Sequence, residues 1–131
     1  MLGNKSRDTK PELIVRRYLH AAGLRYRVHA RPLRDWNRRA DIVFSRAKTA
    51  IFINGCFWHG CPEHYKEPRT NNYYWSQKIG RNVERDVETF KRLKAEGWLV
   101  VVLWEHENLE AKSEKIVSRV IKRRERLRKI G

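Results

Sequence analysis

Cysteine is nearly absent from this chain: two residues among 131, Cys56 and Cys61, which rules out a scaffold stapled by several disulfides. No apolar run approaches the length of a membrane-spanning helix, and the N-terminal stretch MLGNKSRDTK lacks the apolar core of a secretory signal. Repeats, low-complexity tracts and long linkers are missing, so the expectation is one domain across residues 1–131, large enough to bury a single core. Negative charge is scarce as well. The 15 Asp and Glu face 30 Lys and Arg, a net charge of +15, and such an excess on a small unit carries a self-repulsion that a polyanion relieves. Nucleic acid is therefore the expected partner, with no membrane, and the expected compartment is the cytoplasm. In reducing surroundings two cysteines spaced Cys-x4-Cys read better as metal ligands than as a disulfide.

What is present alternates between helical and strand patterns. Thr9-Lys10-Pro11-Glu12 combines an N-cap, an early proline and a capping-box glutamate. A helix should follow to about Ala22, with Leu13, Ile14, Tyr18 and Ala21 as its apolar stripe, Val15 and Leu19 alongside, and Gly23 as its stop. LRYRVHA (24–30) alternates, with Leu24, Tyr26 and Val28 opposite Arg25, Arg27 and His29, as a half-exposed strand does. ADIVF (40–44) and TAIFIN (49–54), joined by Ser-Arg-Ala-Lys, predict a buried hairpin at the sheet centre. Val83, Val87, Phe90 and Leu93 predict a helix over 82–96 ended by Gly97, and WLVVVLW (98–104) a fully buried strand, which together make a crossover. A last helix after Ser113 should place Ile116, Val117, Val120 and Ile121 inward and end in a solvated basic run, KRRERLRK. Residues 62–81 read as the longest irregular stretch. The class is α/β: a small central mixed β-sheet flanked by helices.

Cys56, Cys61, His64 and, from the end of the last strand, His106 could converge on one ion, and a closed Cys2His2 set suits structural zinc. His59 is a fifth candidate. The spacing Cys-x4-Cys-x2-His is not a standard finger, so two buried cysteines with unrelated histidines remain the alternative. His20 and His29, on helix and strand faces without ligand-like neighbours, read as ordinary surface or boundary residues. Phosphodiester cleavage needs a carboxylate to hold a divalent cation near the phosphate and a group to activate water. Asp41, opening one central strand, and Asn54, closing the next, stand where restriction-endonuclease-like folds carry an acidic pair. Asn54 and Cys56 occupy the places of the second acid and the lysine, so the motif is degraded and by itself favours Asp41 as an acid that caps its strand or pairs with Arg38 or Arg39.

The pieces Asp8-Thr9-x-x-Glu12, Ala40-Asp41, Gly55-Cys56-Phe57-Trp58-His59, Trp75-x-x-Lys78-Ile79-x-x-Asn82-x-x-Arg85-Asp86, Gly97-Trp98 and Trp104-Glu105 occur in this order. Together they resemble the very short patch repair (Vsr) mismatch endonucleases, over most of the chain up to about residue 106. The resemblance implies a restriction-endonuclease-like fold, magnesium-dependent nicking of one DNA strand beside a T:G mismatch, and a structural zinc. By position, Asp41 would be the principal magnesium ligand and the Ile53 carbonyl a second. His59 would act as general base or acid, oriented by Asp86, and Glu12 would reach the water shell of the magnesium. Cys56, Cys61, His64 and His106 would hold the zinc, which leaves His59 for chemistry. Some relatives carry histidine or an acid where Asn54 stands, and asparagine cannot shuttle a proton.

Zinc ligands on both sides of Phe57-Trp58 would stiffen the loop into a prong that enters between base pairs. Unstacking a step costs a few kcal/mol, and less at a mismatch. Met1 and Leu2 would approach the same step from the opposite groove, while Lys78 and Asn82 would read the mismatch. The resemblance also implies a bacterial, nucleoid-associated monomer linked in function to a DNA cytosine methyltransferase and to mismatch repair proteins. Two rival readings are a non-catalytic zinc module for distorted DNA, favoured if Asn54 marks a dead site, and a strand-nicking enzyme of the same fold without mismatch preference.

Overall fold

The computed structural model describes residues 8–56, 61 and 72–130. Helix α1 (Lys10–Ala21) begins after Thr9, with Pro11 in its first turn. Glu12 folds back over that end and accepts the Asp8 N–H and the Thr9 hydroxyl, both at 3.1 Å, a variant of the capping box. The helix stops where Gly23 takes a φ of 77°. There the Gly23 N–H reaches the His20 carbonyl and the Leu24 N–H the Leu19 carbonyl, the Schellman pattern that turns the next apolar residue inward. Val15 and Leu19 are the fully buried residues of α1, whereas Leu13 is 47% exposed. The buried stripe thus runs through the i, i+4 pair rather than through Leu13.

Because that turn draws Leu24 into the core, strand β1 (Arg27–Ala30) is shorter than the expected 24–30. Tyr26 instead packs edge-on against Phe44, ring centres 6.0 Å apart. Strands β2 (Ala40–Phe44) and β3 (Thr49–Asn54) form the expected hairpin, buried nearly throughout. Strand β4 (Leu99–Trp104) lies parallel to β3, and the four-stranded mixed sheet has the order β1-β2-β3-β4. As an edge strand β4 is mostly half-buried, with Leu103 fully covered, not buried throughout.

Helix α2 (Asn72–Ala95) begins ten residues before the expected 82, inside the stretch that reads as irregular. Gly80 there disguises a continuous helix, at a cost of roughly 0.5–1 kcal/mol relative to alanine, and Gln77 reaches back to the Tyr73 hydroxyl at 2.9 Å. Its inward residues are Ile79, Phe90 and Leu93, while Val83 and Val87 are exposed. A second Schellman turn at Gly97 carries Trp98 into β4. Helix α3 (Leu109–Ile130) likewise starts earlier than Ser113. Asn108 caps it, its Oδ1 accepting the Ala111 N–H at 3.0 Å, and Ser113 sits buried within the helix.

Val15, Leu19, Ile116 and Val120 from α1 and α3 pack on one sheet face with Ile42, Phe44, Ile51 and Leu103. Phe90 and Leu93 from α2 cover the other with Val43, Ala50 and Phe52. The basic end of α3 is mostly solvated, except that Arg123 donates to the carbonyls of Ala47 and Gly97 and ties the helix to the sheet's far end. No described helix is long and apolar enough to cross a membrane.

Candidate active site and metal-ligand cluster

Antiparallel pairing of β1 with β2 and of β2 with β3, and parallel pairing of β3 with β4, bring four strand ends to one edge of the sheet. The end of β1, the start of β2 and the ends of β3 and β4 meet there, so Asp41 stands beside Ile53. Its Oδ2 accepts the Ile53 N–H at 2.6 Å, a charge-assisted bond. The alternative of Asp41 pairing with its neighbouring arginines is not what the fold does with them: Arg38 binds Glu88 and Thr89 on α2, and Arg39 donates to the His29 carbonyl. Asn54, closing β3, is buried, and its carbonyl accepts the Glu105 N–H at 3.0 Å.

Glu12 comes to the same end from α1 and is 3% exposed. A carboxylate this buried needs a counter-charge, and Arg16 supplies it one helical turn on, Nη2 to Oε1 at 3.0 Å, while Nη1 holds Asp8 at 2.8 Å. His29 is a boundary residue, as expected, but the expectation that it has no ligand-like neighbours is corrected here. Its Nε2 lies 3.2 Å from Glu12 Oε1 and 3.1 Å from Arg16 Nη2, and its Nδ1 faces Asp41 Oδ1 at 4.0 Å. The backbone of His29 has a φ of 48°, a left-handed conformation that costs a non-glycine residue roughly 1 kcal/mol or more. Alternation could not reveal this, because the left-handed residue breaks the period that assigns faces. The Glu12–Arg16 spacing, four apart on a helix, was readable in the sequence.

Beyond the strand ends a second cluster forms. Cys56 Sγ is 3.2 Å from His106 Nδ1, Cys61 Sγ is 3.8 Å from the same nitrogen, and the three ligand atoms lie within 4.8 Å of one another. Backbone bonds hold the cluster: Cys61 N–H reaches the Cys56 carbonyl, and Cys56 N–H reaches Glu105 Oε2 at 2.6 Å. Burial, reinforced by the Cys61 thiol and the Glu105 carboxylate, pushes the Cys56 thiol up to about 11. The Cys56 thiol so placed resists ionising unless a cation joins it.

Lys78, Asn82 and Asp86 are half-buried along one face of α2, where helical spacing puts them. Met1, Leu2, Phe57, Trp58, His59 and His64 lie outside the described residues.

A buried acid on the first helix, a second acid clamped at the sheet edge and a soft-ligand cluster beside the next loop give this basic α/β chain two groups of side chains whose chemistry could hold metal ions. Residues 1–65 match the family described as DNA mismatch endonuclease Vsr. The type II nicking enzyme V.NaeI of Lentzea aerocolonigenes is 46% identical over 112 residues, 84% of this chain and 68% of that protein. V.NmeAIP of Neisseria meningitidis, also a type II nicking enzyme, is 40% identical over 82% of this chain and 75% of its own length. DNA mismatch endonuclease Vsr of Escherichia coli is 39% identical over 76% of this chain and 63% of its own. The chain belongs to the Vsr family.

Proposed function

We propose that the protein is a magnesium-dependent endonuclease that nicks one strand of duplex DNA beside a T:G mismatch, with residues 1–131 acting as one restriction-endonuclease-like catalytic unit. The observation that carries this reading is Asp41, clamped at the sheet edge by the Ile53 N–H and within reach of the Glu12–Arg16–His29 group. Carboxylate oxygens are hard donors and suit magnesium, so Asp41, with the Ile53 carbonyl, would hold the ion. The bound cation would polarise the scissile phosphate and lower the pKa of water. His59 would exchange the proton with the attacking water, and Asp86 would fix its tautomer. Asn54, buried at the end of β3, can donate or accept a hydrogen bond but moves no proton.

The second cluster fits zinc. Tetrahedral bonds of about 2.0–2.3 Å separate sulfur from nitrogen by roughly 3.6 Å, close to the 3.2 and 3.8 Å observed. His64 would complete the set with Cys56, Cys61 and His106. The pinned loop would then present Phe57 and Trp58 as the wedge, with Met1 and Leu2 opposite and Lys78 and Asn82 at the mismatch. The deciding experiment offers the protein and magnesium a panel of duplexes, each with one mismatch in varied context, and maps the cut strand. Nicking confined to T:G duplexes supports the mismatch reading; nicking of paired DNA as well supports the second reading, a strand-nicking enzyme without mismatch preference, which the names of the nicking-enzyme relatives favour.

A further inference from the structure

We infer that His29 is a positioning residue that ties the α1 carboxylate of Glu12 to the β2 carboxylate of Asp41, an inference that rests on the nuclease reading above. Val28 pairs with Ile42 and Ala30 with Ala40, so the register sets His29 opposite Asp41 across the β1–β2 ladder. An ordinary extended residue at this place would continue the alternation of Arg25 and Arg27. His29 instead adopts a φ of 48°, a region that histidine enters more readily than most residues but still at a cost. The cost is met by fixed partners. Arg39 Nη1 holds the His29 carbonyl at 2.8 Å, and the ring, with 12% of the side chain exposed, is enclosed by groups from two elements.

The two ring nitrogens point away from each other, and each meets a different carboxylate neighbourhood. Nε2 sits 3.2 Å from Glu12 Oε1, with Arg16 Nη2 at 3.1 Å, and Nδ1 sits 4.0 Å from Asp41 Oδ1. Asp41 is thereby bracketed, its Oδ2 on the Ile53 N–H and its Oδ1 toward the imidazole. Arg16 already pairs with both Glu12 and Asp8, which places a positive charge inside the group. The Asp8–Glu12–His29 trio is therefore a brace for Asp41 rather than a cation cage. Without the ring, the Asp41 carboxylate would lose its neighbour at Oδ1, and Glu12 its register to the strand. Groups that orient a metal ligand from behind typically contribute 10–100-fold in metal affinity or activity.

The test uses His29→Ala, His29→Asn, which accepts the positive φ, Glu12→Gln and the Glu12→Gln/His29→Ala pair. Manganese binding to the DNA-free protein is followed by water-proton relaxation, and single-turnover nicking of a T:G duplex is followed against magnesium concentration. Duplex affinity without divalent ions and melting curves are read beside them. The expected result is that His29→Ala weakens manganese binding and raises the half-saturating magnesium roughly 10–100-fold, His29→Asn does so less, and duplex affinity is unchanged. Adding Glu12→Gln to His29→Ala should cost less than the product of the two single losses, since part of what Glu12 contributes passes through the ring. Folded His29→Ala or His29→Asn protein with wild-type manganese binding and magnesium dependence would overturn the inference, as would losses from Glu12→Gln and His29→Ala that multiply. A wild-type protein that binds manganese yet cuts no duplex defeats the nuclease reading instead, and the manganese arm still decides the role of His29.

Discussion

Cys56 Sγ and His106 Nδ1 lie 3.2 Å apart although they come from different segments, the loop after β3 and the turn after β4. Parallel pairing sets Asn54 beside Trp104 and so delivers both ligands to the same place. The purified protein should contain one equivalent of zinc. Cys56→Ser, Cys61→Ser or His106→Ala should destabilise it strongly, since a structural zinc contributes roughly 10–16 kcal/mol in small domains. Elemental analysis that finds no zinc in an active sample would remove the idea.

Asp41→Asn keeps the shape of the side chain and removes its charge. Nicking should fall by about 10³-fold or more, in line with the several kcal/mol a bound cation contributes to such a transition state, while duplex affinity should stay near wild type. Wild-type single-turnover rates in this variant would move the metal elsewhere.

Arg16→Ala should cost roughly 3–5 kcal/mol of stability, because it leaves buried Glu12 without its counter-charge. Arg16→Ala/Glu12→Gln should recover part of that loss in denaturant melts, since a neutral amide is cheaper to bury. A single variant as stable as wild type would show that the Glu12–Arg16 pair contributes little to the fold.

How far the sequence foretells this arrangement depends on the range of the contact. The β2–β3 hairpin was legible because both runs are apolar, short and separated by a turn-length linker. Glu12 was legible as a capping residue, whereas its pairing with Arg16 went unread although the two stand four apart on a helix. The early start of α2 was hidden by Gly80, and that of α3 by the absence of a strong apolar residue before Ser113 other than Leu109. His29 was hidden more deeply. Its meeting with Asp41 depends on strand register and on one left-handed residue, and neither leaves a periodic mark.

Duplex binding should weaken by about 10³ to 10⁵ between 50 and 200 mM salt if six to ten phosphates are contacted. The net charge of +15 motivates the expectation. Salt-independent affinity would argue against an interface dominated by the DNA backbone.

Phe57→Ala and Trp58→Ala should lower affinity for a T:G duplex much more than for the same duplex fully paired, since neither side chain neutralises phosphate. Equal losses on both duplexes, accompanied by lower melting temperatures, would make the two aromatics packing residues.

The central claim is discrimination between mismatched and paired DNA at the step of strand cleavage. The most direct measurement is the single-turnover nicking rate, with magnesium, on one duplex carrying a T:G pair and on its T:A counterpart, with the cut mapped on each strand. A single nick beside the mismatch, with the paired duplex left intact over the same time, is the result expected. Equal cutting of both duplexes, or of neither, would contradict it.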